Sequence, residues 1–380
     1  MRPLHRVLLT ASVALGLSAP MADATVLSPF FQTNLVSDIP GLAPVTDLNL
    51  QNPWGVSESA ASPLWISDQH AGVATLYTVH GLSATPAGGP PPLVVTIPAT
   101  ASGPQGPTGQ VNNSNMSAFL VNGASARFIF ANLNGTISAW NGVGTTAIPQ
   151  ATTPGAVYTG LAIGGTTSAP LLYAANGAQN RIDVFNGFFA PTTVAGGFPN
   201  PFPGLVPFNV QNIGGQIYVT YALPGRAAQI AAGPGNGAVA IFDLNGNFVR
   251  TVINGSQLAS PWGITLAPIG FGPFGGDLLV GNFAYGNMSS AGGEINAFDP
   301  TTGGFLATLD SNPAWQGLWA LTFGNGAAGG DPNILYFTTG LSDETHGLFA
   351  ALAVPEPSTL ALLGAAMLGF FALRRRALHG

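Results

Sequence analysis

The chain has 380 residues, of which 46% are hydrophobic and 6% are charged, and it contains neither cysteine nor lysine. The lack of cysteine excludes disulfides, thiolate metal sites, cysteine nucleophiles and lipoprotein acylation. Between Thr25 and Ala353, four arginines stand against thirteen acidic residues, so we expect no nucleic-acid partner, which would need clustered cations. The 52 Gly, 32 Pro and 23 Phe indicate many short strands joined by tight turns.

The first 24 residues have the pattern of a secretory signal peptide. Arg2 and Arg6 form a basic start, an apolar run follows from Val7 to Ala19, and Ala22-Asp23-Ala24 is a small-x-small cleavage site. We therefore predict an exported protein whose mature chain begins at Thr25. A buried N-terminal helix is the alternative interpretation of the same apolar run.

A pair of strands recurs six times along the middle of the chain. The first strand of each pair is apolar and typically ends in a small or amide residue: residues 64–68, 128–132, 171–176, 217–221, 278–282 and 334–338. After a turn, usually rich in Gly or Asn, comes a strand with alternating apolar positions: residues 73–77, 135–140, 181–185, 238–243, 294–299 and 347–351. A shorter strand precedes each pair, most clearly at residues 53–56, 160–163, 261–264 and 317–321.

Six such units of about 45–60 residues predict an all-β fold, a six-bladed β-propeller, over residues 25–353. We expect Thr33 to Asp38 to add an outer strand to the last blade and to close the ring. A β-sandwich or a β-helix is the alternative architecture. The order of strands within a unit resembles that of NHL and lactonase-like propellers.

Four residues, Asp68, Asn132, Asn176 and Asn282, end equivalent strands in four of the predicted blades. Oxygen ligands contributed by several blades would suit Ca²⁺, which takes about 6–8 of them. Lactonase-like propellers hold a divalent ion with carboxylate and amide side chains, so the resemblance implies a metal site here. The ring of ligands in those proteins usually includes more than one carboxylate, whereas this set has only Asp68. The same residues could instead cap turns through hydrogen bonds to the backbone.

The densest polar cluster is Asp343-Glu344-Thr345-His346, and Asp68 with His70 forms a similar pair in the first unit. Histidine and carboxylate together can perform acid–base chemistry or bind a metal. If both loops lie at one mouth of the channel, His70, Asp343, Glu344 and His346 are candidate site residues. Ordinary loop polarity explains them equally well.

The C-terminal segment, residues 354–380, has three parts. Pro355, Glu356 and Pro357 are followed by an apolar stretch from Leu360 to Leu373 and then by Arg374, Arg375 and Arg376. An apolar stretch followed by cations is a stop-transfer pattern, with a hydrophobic anchor helix and the arginines on the cytoplasmic face. An ordinary C-terminal membrane anchor is one interpretation.

These three parts, in this order, resemble the PEP-CTERM sorting signal. The resemblance implies an exosortase-type transpeptidase as partner, transient anchoring in the inner membrane, and a place at the surface of a Gram-negative bacterium that makes exopolysaccharide and biofilm. Further segments resemble an uncharacterised propeller family that often carries this tail: residues 33–38, 52–55, 278–283, 317–321 and 343–349. That likeness implies fold and location without an established activity.

Two functions fit these features. One is a cell-surface or extracellular-matrix protein whose propeller binds an unknown glycan or protein partner. The alternative is a secreted metal-dependent hydrolase of the lactonase or esterase type. They differ in one physical requirement, because the hydrolase needs a bound ion to activate water or polarise a carbonyl.

Overall fold

The structure is a computed structural model that describes residues 30–100, 103–284, 292–309 and 315–354. The predicted signal peptide and the predicted anchor helix lie outside these residues. In the described part of the chain, no helix is long and apolar enough to cross a membrane.

Six sheets of mostly antiparallel strands, the blades, surround a central channel. The chain opens with β1 (Phe31–Ser37) and β2 (Val45–Thr46). Blade 1 contains β3 (Pro53–Ser57), β4 (Leu64–Asp68), β5 (Val73–His80), β6 (Ser83–Pro86) and β7 (Val95–Thr96). Blade 2 starts with β8 (Pro107–Asn112), and a small hairpin of β9 (Leu120–Val121) and β10 (Ala124–Ser125) precedes β11 (Phe128–Asn132), β12 (Thr136–Trp140) and β13 (Ile148–Thr152). Blade 3 contains β14 (Tyr158–Thr166), β15 (Ala169–Asn176), β16 (Arg181–Asn186) and β17 (Pro191–Thr192).

The last three blades follow the same order of strands. Blade 4 contains β18 (Val206–Ile213), β19 (Gln216–Ala222), the short helix α1 (Arg226–Ala231), β20 (Ala238–Phe242) and β21 (Phe248–Asn254). Blade 5 contains β22 (Pro261–Leu266), a 3₁₀ turn (Gly272–Phe274), β23 (Leu278–Asn282), β24 (Glu294–Phe298) and β25 (Phe305–Leu309). Blade 6 contains β26 (Leu318–Phe323), β27 (Leu335–Leu341) and β28 (His346–Ala353).

The first strand of the described chain closes the ring. β1 pairs antiparallel with β28, from Phe31 opposite Ala353 to Ser37 opposite Leu348, and so becomes an outer strand of blade 6. This confirms the predicted closure. All twelve strands of the predicted pairs are present, and β4, β11 and β23 have the predicted bounds.

The apolar core is divided among the blade interfaces. Six buried clusters lie between neighbouring blades, one at each interface, because every middle strand buries side chains on both faces of its sheet. A seventh, rich in tryptophan, lies at the channel. This radial division of the core is that of a propeller rather than of a sandwich.

Glycines allow the six inner strands to pack tightly around the channel. A β-carbon on Gly109 would lie 2.2 Å from the backbone nitrogen of Leu161 in the next blade, and one on Gly263 would lie 2.4 Å from the carbonyl oxygen of Trp319. A β-carbon on Gly55 would likewise lie 2.4 Å from the carbonyl oxygen of Thr108. Only glycine fits at such close backbone approaches.

Candidate functional site

An aromatic floor lies at the first mouth, our name for the end of the channel where the inner strands begin. We define the floor as Trp54, Phe208, Trp262, Phe283 and Trp319, all of which are buried. Trp319 stacks on Trp54 at 3.6 Å between ring centres and on Phe283 at 4.4 Å. Blades 1, 5 and 6 therefore fill their sector of the first mouth with tryptophan.

A cavity of about 370 Å³ opens beside the floor, above blades 2 and 3. The second residue of the inner strand is tryptophan in blades 1, 5 and 6 but the smaller Thr159 in blade 3, and this difference in size leaves the space. The apolar wall includes Trp54, Leu133, Val157 and Val206, and the polar wall includes Gln69, Thr159, Arg226, Gln229 and Glu344.

Arg226 lies across the aromatic floor. Its guanidinium carbon is 3.8 Å from the ring centre of Phe283, 4.9 Å from that of Trp319 and 5.5 Å from that of Trp54. A guanidinium over aromatic faces is stabilised by the ring quadrupole. The Nε–H donates to Glu344 Oε2 at 3.0 Å, and Nη2 pairs with Oε1 of the same carboxylate. Two guanidinium nitrogens therefore contact the two carboxylate oxygens, and the hydrogen bond from Nε orients the guanidinium.

An unusual loop brings Glu344 to this pair. Ser342, Asp343 and Glu344 have successive φ values of 50°, 54° and 68°, in the left-handed region. Each such residue costs roughly 1–2 kcal/mol, and strain of this kind concentrates at functional sites. The strained turn places the carboxylate of Glu344 on the wall of the cavity.

Asn52 connects the loop to blade 1. Its Nδ2 donates to Gln69 Oε1 at 2.7 Å and to Glu344 Oε1 at 3.2 Å, and its Oδ1 accepts the Trp319 indole N–H at 2.9 Å. The ends of blades 1 and 6 are thus joined to the Arg226–Glu344 pair through one amide. The polar wall is pre-organised before any ligand arrives.

The predicted channel-mouth residues divide into three groups. Glu344 lines the cavity, next to Gln69, the chain neighbour of His70. His70 and Asp343 are exposed. His346 turns to the ring closure, where its Nδ1 lies 2.7 Å from Oδ2 of the buried Asp38. The structure therefore brings the two predicted loops together, with Glu344 at the cavity and His346 outside it.

The four predicted metal ligands each make contacts within their own blade. Asn132 donates to the Thr136 carbonyl at 3.3 Å, Asn176 donates to Asp183 at 2.8 Å, Asn282 accepts the Ala259 N–H at 2.9 Å, and Asp68 accepts the Thr75 hydroxyl at 2.8 Å. Such contacts are those of turn and strand capping. Among the described residues, no group of three or more histidine or acidic side chains lies close enough together to hold a metal ion. Calcium binding at these four positions stays a prediction.

Comparison with known proteins identifies the C-terminal segment first. Residues 353–376 match the PEP-CTERM protein-sorting motif. The motif indicates export, processing by an exosortase and sorting to the surface of a bacterial cell.

Two relatives cover much of the chain. The uncharacterized protein R648 of Acanthamoeba polyphaga mimivirus is 32% identical over 283 residues, which are 70% of this chain and 66% of R648, just under two thirds of its length. The uncharacterized protein L690 of the same virus is 30% identical over 288 residues, which are 70% of this chain and 70% of L690. The chain belongs to the L690 family.

Sequence reasoning missed two features of the site in this L690-family protein. Arg226 is one of only four arginines between residues 25 and 353, and it follows the turn residues Pro224 and Gly225. A cation directly after a turn, in a chain with so few charges, is a signal that could have been followed. The tryptophans of the repeated Pro-Trp-Gly sequence at Trp54 and Trp262 are a second signal, since they recur at equivalent points of two blades.

Asp68 gives a pH-dependent prediction. Burial raises the pKa of Asp68 well above its usual range, and the nearby Asp47 and Asp38 raise it too, while hydrogen bonds from Thr75 act in the opposite direction. The fold therefore favours the protonated form of Asp68. This form stabilises the folded protein fully at pH values below the pKa of Asp68 in the unfolded chain. The stabilisation is lost as pH rises through the pKa of Asp68 in the folded protein. Between those two values, the free energy of unfolding of the native protein should fall by about 1.4 kcal/mol per pH unit relative to Asp68→Asn. Urea denaturation of both proteins between pH 4 and pH 9 measures this difference, and a constant difference would contradict the prediction.

Proposed function

We propose that this protein is exported to the bacterial surface and that its propeller binds a neutral glycan in the cavity at the first mouth. The observation that carries the proposal is the fixed Arg226–Glu344 pair beside an aromatic floor. A sugar ring presents apolar C–H faces that suit an aromatic wall, and its hydroxyls can both donate to a carboxylate and accept from a guanidinium. The cavity volume lies within the range of small-molecule sites, about 300–1,000 Å³.

The charge of the cavity wall favours a neutral ligand. Arg226 is neutralised by Glu344, and the other polar residues of the wall, Gln69 and Gln229, are uncharged. In addition, Nη1 of Arg226 is buried without a hydrogen-bond partner among the described residues. Leaving such a donor unpaired is costly, so a ligand oxygen that reaches it would gain affinity.

The rest of the proposal concerns location. Residues 1–24 serve as a signal peptide, residues 25–353 form the propeller, and residues 354–380 act as the sorting segment. The host is a Gram-negative bacterium, and the tail anchors the chain transiently in the inner membrane before exosortase cleavage. The glycan is then part of the extracellular polysaccharide around the cell. Hydrolysis of lactones or esters stays an alternative that requires a metal ion.

Binding to surface and capsular polysaccharides tests the cavity. The protein is screened on an array of neutral, anionic and cationic glycans, and the affinity of the best ligand is measured by calorimetry. We expect a neutral ligand, with Arg226→Gln lowering its affinity at least tenfold, because a hydrogen bond to a charged group contributes about 1.5–3 kcal/mol.

The control is the ion pair of Arg181 and Asp183, which lies outside the first-mouth cavity on blade 3. Arg181→Gln removes the same charge and should leave affinity unchanged. Unaltered affinity in Arg226→Gln, at an unchanged melting temperature, would place the glycan elsewhere. Binding restricted to charged glycans would contradict the neutral-ligand proposal.

A further inference from the structure

A second cavity lies at the opposite end of the channel, which we call the second mouth, where the inner strands end. Its volume is about 450 Å³. Blade 1 contributes Ser57 and Glu58, blade 2 contributes Gln110, and blade 4 contributes Gln211. None of the site residues predicted from the sequence lines this cavity.

Gln110 presents an acceptor with a fixed orientation. The side chain is 5% exposed, and its Nε2 donates to the carbonyl oxygens of Gly55, at 3.0 Å, and Trp65. Two carbonyl acceptors can be satisfied only by the NH₂ group, so the oxygen must occupy the other position. That oxygen, Oε1, is buried and has no hydrogen-bond partner among the described residues.

Two further oxygens in this cavity are in the same condition. Gln211 Oε1 and Ser57 Oγ are both buried without a partner in the described part of the chain. Buried polar atoms in folded proteins are nearly always satisfied, so each exception points to a bound ion, a water or a ligand. Here three exceptions, from blades 1, 2 and 4, line one cavity.

Glu58 adds negative charge to these acceptors. Among the described residues that line the cavity, it is the one side chain that ionises, and no cation faces it from the other inner strands. Burial raises the pKa of Glu58 to about 7. The residues that line the second cavity therefore supply a carboxylate, two amide oxygens and a hydroxyl, and none of them carries a positive side chain.

We propose that the second mouth binds Ca²⁺ through Glu58, Gln110, Gln211 and Ser57. Carboxylate, amide and hydroxyl oxygens are hard ligands, and Ca²⁺ completes its shell of about 6–8 oxygens with water. Mg²⁺ fits less well, since it needs near-ideal octahedral geometry and dehydrates reluctantly. A single carboxylate gives weak binding, in the range of extracellular modules, about 10⁻⁴–10⁻³ M. This site is separate from the one predicted at Asp68, Asn132, Asn176 and Asn282.

Calorimetric titration of the full chain with CaCl₂ to 10 mM at pH 8 tests the proposal, with the melting temperature followed in parallel. We expect binding in the native protein and a rise in melting temperature. Glu58→Gln should weaken binding at least tenfold while leaving the metal-free protein folded, because the substitution keeps the shape and removes a buried charge. Gln211→Met, which removes one amide oxygen, should also weaken binding several-fold.

The matched control is Asp68→Asn, which removes a buried carboxylate from the other predicted site. It should leave Ca²⁺ affinity unchanged. Absence of Ca²⁺ binding to the native protein would overturn the proposal, as would equal affinity in Glu58→Gln. Loss of binding in Asp68→Asn with retention in Glu58→Gln would also overturn it and would assign the ion to the strand-end residues.

Discussion

Gly109→Ala should prevent folding of the propeller or lower its free energy of unfolding by more than about 3 kcal/mol, the upper range for overpacked sites. The added β-carbon would lie 2.2 Å from the Leu161 nitrogen and 2.7 Å from the carbonyl carbon of Gly160. Both obstacles are backbone atoms of the neighbouring inner strand, which cannot move without displacing blade 3. Chemical denaturation followed by tryptophan fluorescence measures the loss.

Gly233→Ala is the matched control for this substitution. Gly233 also lacks a positive φ, and a β-carbon there would meet nothing within 4 Å. Its free energy of unfolding should rise slightly, by about 0.4–1 kcal/mol, because alanine restricts the unfolded chain. Equal stabilities for the two variants would show that the inner strands of blades 2 and 3 lie far enough apart to accommodate a β-carbon at position 109.

Asp38→Ala should destabilise the ring closure by about 2–4 kcal/mol, since it leaves a buried donor unpaired and removes a charged partner. Asp38 Oδ1 accepts the Gly347 N–H at 2.8 Å, and Oδ2 lies 2.7 Å from His346 Nδ1. The adjacent Ser37 hydroxyl donates to the Gly347 carbonyl at 2.7 Å. Hydrogen exchange should show faster opening of β1 and β28 before the other strands.

Asp343→Asn controls for charge in this comparison. Asp343 is exposed, and asparagine tolerates its left-handed conformation, so this variant removes a negative charge close to the closure without an unpaired donor. We expect a change within about 0.5 kcal/mol. Uniform destabilisation of all blades in Asp38→Ala, with no early opening of β1, would contradict a local role for Asp38.

The fold could be predicted because its signals are local. Each middle strand buries both faces, so it is visible as an apolar run such as residues 128–132 or 278–282. The inner strands of blades 2 and 4 were harder to locate, since Gln110 and Gln211 face the channel and interrupt the apolar pattern. Their position depends on the assembled ring rather than on the strand itself.

The site could be predicted only in part, because its residues meet through the ring. Glu344 was found from a local polar cluster, whereas its partner Arg226 lies 118 positions away and carries no local motif. The strand-end residues were conspicuous because they recur in sequence. Bulges near those strand ends, such as the one between Tyr158 and Gly160, decide whether these side chains face the channel or their own blade. The alternation of apolar and polar residues along a strand does not reveal such bulges.

The joining of β1 to β28 would also set the order of events in the proposed export from the N-terminus. A chain that crosses the membrane from its N-terminus delivers β1 first and β28 last, so blade 6 cannot be completed until residue 353 has crossed. The PEP-CTERM motif begins at that same residue. In that order, the last strand of the ring crosses just before the sorting motif, so the motif becomes accessible only when all strands of the propeller have crossed. The exosortase would then meet its recognition sequence at the moment when the cargo can first fold.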